Sequence, residues 1–87
     1  MTLAELRAAL AKLDHLPDET KVILAKDAEG NGFSPLDGAE EGMYWAETTW
    51  SGEHYLSEEQ RLAKDEPDDW SPAPDDAVPA VFLWPVN

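Results

Sequence analysis

The chain contains no cysteine in its 87 residues, which removes disulfides, thiolate metal sites, cysteine nucleophiles and thiol redox chemistry in one step. It is also poor in positive charge: six Lys and Arg stand against nineteen Asp and Glu, for a formal net charge of −13. Neutralising phosphates takes Lys and Arg, so direct binding to nucleic acid or to an anionic membrane surface is not expected. The six basic residues (Arg7, Lys12, Lys21, Lys26, Arg61 and Lys64) all precede residue 65. No apolar run is long enough to span a bilayer, and the start MTLAELRAALAKLD lacks the basic stretch and apolar run of a signal peptide. Together with the absence of cysteine, this makes the cytoplasm the expected location.

Catalytic material is equally scarce. There are two histidines, His15 and His54, and the serines lack a nucleophile-elbow context. No Gly-rich phosphate loop runs into a lysine. His54 with Glu53 and Glu58 is a weak candidate metal set, and His15 reads as a residue facing the carbonyls at a helix end. No catalytic residue, cofactor or metal is assigned, and a non-enzymatic protein is the expectation.

What is present describes a single small domain, residues 1–87, whose core must be modest at this length. Thr2-Leu3-Ala4-Glu5 is a capping box, and Leu3, Leu6, Leu10 and Leu13 follow at spacings of three and four, so a helix with one apolar stripe is predicted over residues 2–14. Leu16-Pro17-Asp18 ends it. Strands are predicted at 21–25, 43–50 and 80–84, where β-branched and aromatic residues concentrate between turn residues. The pattern leaves open whether residues 53–56 pair back as a further strand. Ser57-Glu58-Glu59-Gln60 is a second capping box that starts one or two helical turns. Residues 65–79, DEPDDWSPAPDDAVP, form an acidic Pro-rich segment expected to cross the molecule in extended form. The expected fold class is α+β: the N-terminal helix packed on a three- or four-stranded, mainly antiparallel sheet, with Leu10 buried at the contact.

The stretch KDAEGNGFSPLDG, residues 26–38, begins with the spacing of a calcium loop through Asp27, Glu29, Asn31 and Gly32. Such a loop needs a bidentate acid at its twelfth position, which here is Gly38, so the segment reads as a metal-free turn. Gly30, Asn31 and Gly32 tolerate positive φ, while Phe33 and Leu36 are expected to pack the connection against itself. This loop (Asp27, Glu29, Gly30, Asn31, Gly32 and Phe33) counts as structural, with a binding role open.

The N-terminal amphipathic helix, KDAEGNGFSPL, ETTWSGE and the terminal VFLWP together resemble a group of short, uncharacterised proteins of bacteriophages, prophages and actinobacteria. The resemblance covers most of the chain and implies a setting, a small phage-type accessory protein inside a bacterial host, but no chemistry. From the residues themselves, Tyr44, Trp45, Trp50 and Trp70 are the candidate binding residues, since side chains on one strand alternate between faces and a single helix cannot cover them all. Two functions follow. One is a protein that binds and modulates a host factor, nucleic-acid mimicry or counter-defence being specific forms, with homodimerisation a further use of the aromatic face. The alternative is a nucleotide or small-molecule sponge built on the backbone of loop 27–38 and an aromatic platform.

Overall fold

The structure, a computed structural model, describes residues 1–87. Its elements are α1 (Leu3–Ala11), β1 (Ile23–Ala25), β2 (Phe33–Ala46), β3 (Gly52–Tyr55), α2 (Glu58–Leu62), a 3-10 turn (Pro67–Asp69) and β4 (Val78–Pro85). The four strands form an open sheet in which β2 pairs with each of the other three, antiparallel with β1 and β3. The α+β class is therefore as expected. No helix is long and apolar enough to cross a membrane. The chain groups into two compact units, Met1–Gly38 with Trp84–Asn87, and Ala39–Leu83.

The first unit starts at the predicted capping box: the Thr2 hydroxyl accepts from the Glu5 N–H at 3.2 Å, and the Glu5 carboxylate accepts from the Thr2 N–H at 3.0 Å. The helix closes earlier than predicted, at Ala11, and Lys12 to Leu16 continue as turns through Leu13 N–H to Leu10 O and Leu16 N–H to Leu13 O. His15, expected to follow the helix end, lies within these turns past Ala11. β1 and β2 form a hairpin with Leu24 opposite Ser34.

The second strand starts and ends earlier than the predicted residues 43–50. β2 begins at Phe33, ten residues before Met43, and the connection from β1 spans only Lys26 to Gly32. Alternation was present but disguised: Ser34, Leu36 and Gly38 are the less exposed set and Phe33, Pro35 and Asp37 the exposed one. Serine and glycine on the inner face do not register as strand residues. Phe33 stands 64% exposed, although its ring reaches back over the turn, with Cζ 3.7 Å from where a Cβ on Gly30 would lie. Pro35 is tolerated because its missing N–H falls on the side away from β1, where only its carbonyl is used, accepting from Val86 N–H at 2.9 Å. Ser34 is fully buried and satisfied, its hydroxyl donating to Pro35 O at 3.0 Å and accepting from Asn87 N–H at 3.2 Å.

In the second unit the end of β2 pairs with β3, with Met43 opposite Tyr55, Tyr44 opposite His54, Trp45 opposite Glu53 and Ala46 opposite Gly52. Residues 53–55 are therefore strand. The strand stops at Ala46 because Thr48 diverts the backbone: its Oγ1 accepts from Trp50 N–H at 3.1 Å and Ser51 N–H at 3.0 Å. Trp50 consequently sits in the turn, not on the predicted strand 43–50. The Ser57 capping box forms as expected, and Gln60, besides closing it, donates from Nε2 to Glu41 O at 2.9 Å, which fastens α2 to β2. The Pro-rich segment is less extended than expected: Pro67 opens a 3-10 turn held by Arg61 Nη1 donating to Pro67 O at 3.1 Å.

Burial departs most from expectation. Neither unit contains a buried apolar side chain; the buried positions are Ser34 and Gly42. Leu6 is the one partly covered residue of α1, whereas Leu10 is 56% exposed. The leucine spacing makes a stripe, as read, but this chain by itself does not cover it.

Candidate functional site

The hairpin turn at 26–32 is built around one carboxylate. Asp27 Oδ1 accepts from Glu29 N–H at 2.9 Å and from Asn31 N–H at 3.1 Å, while Gly30 N–H donates to Asp27 O at 3.3 Å. Asn31 Nδ2 reaches Glu29 Oε2 at 3.3 Å, and Lys26 N–H to Gly32 O at 2.9 Å closes the turn. The Asn31 N–H is the largest cause holding the Asp27 carboxyl below its ordinary 3.8. One oxygen of the carboxylate is thus engaged with its own backbone, which makes Asp27 the residue that shapes the turn.

Two predictions follow from this geometry. Gly30 has φ +74°, so Gly30→Ala is expected to cost about 1 kcal/mol. Gly32 does not share that conformation, and a Cβ there would meet Lys26 Cδ at an ordinary 3.6 Å, so Gly32→Ala should stay within about 0.5 kcal/mol. Urea denaturation of both variants checks the difference. The second concerns pH. Because the folded pKa of Asp27 is lowered, the stabilisation it gives is complete above the unfolded value of 3.8 and is lost as pH falls through the lower folded value. In an NMR titration the Glu29 and Asn31 amide protons should shift with an apparent pKa below 3.8, and Asp27→Asn should abolish that titration.

The candidate aromatics do not converge. Tyr44 and Trp45 project from opposite faces of the β2–β3 hairpin, as alternation requires. Trp50 is 91% exposed at the turn, and Trp70, 45% exposed, follows the 3-10 turn with Lys64 Nζ 5.0 Å above its ring. A different aromatic group does form on the Tyr44 face. The His54 ring meets Phe82 edge-on at 4.5 Å between centroids, and Phe82 lies 6.5 Å from Tyr44 at a tilt of 53°. Gly42 makes room for it: a Cβ there would lie 3.0 Å from His54 Nε2 and 3.1 Å from Phe82 Cε2. With its ring on Phe82, on the sheet face opposite Glu53, and with Glu58 held by Arg61, His54 does not gather the metal set suggested by its neighbours in sequence. Nothing in the sequence pointed to Phe82 as the partner, because 28 residues separate it from His54.

Comparison with protein-family models, with curated proteins and with solved structures finds no match to this chain. The distribution of charge over its own residues is then the most informative surface property. Residues 39–83 hold twelve acids (Glu40, Glu41, Glu47, Glu53, Glu58, Glu59, Asp65, Glu66, Asp68, Asp69, Asp75 and Asp76) and two cations, Arg61 and Lys64. Both cations are engaged internally. Arg61 chelates Glu58 through Nη2 at 2.6 Å and Nε at 3.0 Å, which draws the Glu58 carboxyl below its ordinary value, and Lys64 lies over Trp70.

Proposed function

We propose that this protein is a non-enzymatic accessory protein that binds and modulates a basic host factor through the acidic surface of residues 39–83, with nucleic-acid mimicry as the specific form. The observation that carries this reading is the set of twelve carboxylates whose two local cations, Arg61 and Lys64, are already occupied within the unit. A partner's Lys and Arg side chains would meet carboxylates with almost no competing positive charge, which favours fast, steered and salt-sensitive association. The resemblance to phage and prophage proteins makes the cytoplasm of a bacterial host the setting of this proposal. The nucleotide-sponge reading draws no support from loop 27–32, because the N–H groups of Glu29, Gly30 and Asn31 that would receive an anion already donate to Asp27.

The test is affinity capture from a bacterial lysate at low salt, followed by elution in a salt gradient and competition with duplex DNA. A basic protein released well before about 1 M salt, where the Debye length falls to about 3 Å, and displaced by DNA is the expected result. Asp68→Asn with Asp69→Asn should slow its association. Recovery of no salt-sensitive partner, or of one indifferent to DNA and to these substitutions, would remove the mimicry reading.

A further inference from the structure

The net charge is not spread evenly along the chain. Residues 1–26 hold four acids (Glu5, Asp14, Asp18, Glu19) and four bases (Arg7, Lys12, Lys21, Lys26), so the whole of the −13 lies in residues 27–87. The same neutral segment carries Leu3, Leu10, Leu13, Leu16, Val22 and Ile23, all exposed. Exposed apolar residues scattered singly are ordinary, but a leucine stripe with no buried apolar residue anywhere beneath it is not.

We infer that the α1 face, from Leu3 through Leu13, is the seam of a homodimer in which a second copy of this chain supplies the missing apolar cover. A second copy is the occupant the charge favours. Two chains of −13 repel wherever their acidic residues meet, and the first 26 residues are the stretch through which they approach without that cost. A chain without an apolar core of its own also needs cover that is always present in equal amount, which self-association provides. An isologous contact about a two-fold axis uses the same stripe on both protomers.

This seam and the acidic partner surface respond to salt in opposite directions. Added salt screens the repulsion between two acidic copies and tightens the dimer, whereas it weakens acidic-to-basic binding. The experiment is sedimentation equilibrium of the full chain at low and high salt, together with thermal melts from roughly 1 to 100 μM, since Tm depends on concentration when folding requires a partner copy. A dimer that tightens with salt, and a Tm rising by several degrees across that range, is expected. Leu10→Asp should raise the dissociation constant at least about 100-fold, because it places a charge in the seam from both sides. Trp50→Ala, in the exposed turn, should leave it unchanged. If Leu10→Asp does not fold, the wild-type concentration dependence still decides. A wild-type monomer with a concentration-independent Tm would overturn the inference, as would a Leu10→Asp dimer of undiminished affinity or dissociation caused by Trp50→Ala.

Discussion

Gly52→Ala is expected to destabilise the protein by about 3 kcal/mol, enough to unfold much of a chain this small, because an added Cβ has no space in which to sit. Built on the existing backbone, it would collide with the carbonyl oxygen of Trp45 and lie 2.6 Å from both Cζ and Oη of Tyr44. The tyrosine ring can rotate away, but the carbonyl belongs to the strand directly opposite, in register with Gly52 through Ala46. Relief requires the β2–β3 hairpin to separate. Truncating the ring in the double variant Gly52→Ala with Tyr44→Ala should therefore recover little of the loss. Urea denaturation followed by circular dichroism measures both, and a Gly52→Ala variant within about 0.5 kcal/mol of wild type would show that the hairpin accommodates the methyl group.

Phe82→Ala is expected to cost about 2–3 kcal/mol, somewhat below the about 3–5 kcal/mol of a fully buried phenylalanine, since this ring is only partly covered. Its ring packs on His54 and Tyr44 and sits over the notch at Gly42. Gly42→Ala tests the same contact from the other side. The new methyl group would press on two movable rings, His54 and Phe82, but also on the Tyr55 carbonyl at 3.2 Å, which is backbone. The smaller loss, about 1–2 kcal/mol, should be accompanied by a shift of the His54 ring resonances. Equal stability of Phe82→Ala and wild type would mean that the ring contacts contribute nothing to the fold.

The leucine stripe shows how far a pattern can be read. Spacing identified α1 and its apolar side correctly, and a buried Leu10 was the natural expectation, with a cost of about 2–5 kcal/mol on truncation. In the isolated chain Leu10 is 56% exposed, so Leu10→Ala would fall within about 0.5 kcal/mol unless a second copy covers it. Periodicity reports which residues share a face, not what that face touches.

What the sequence by itself determined is what neighbours within four residues decide. The two capping boxes at Thr2 and Ser57 formed as read, because each needs only a hydroxyl and an acid or amide three residues apart. The turn at Asp27 and the positive φ of Gly30 belong to the same class, as does the position of every charge. Tertiary structure alone decided the start of β2, whose inner face is made of Ser34, Leu36 and Gly38 and is recognisable as strand only once β1 lies beside it. It also decided the meeting of His54 with Phe82, the diversion of both unit cations into internal contacts, and the exposure of the stripe. These depend on which distant segments pair, and pairing is set by the summed fit of whole faces, which no local window of residues contains.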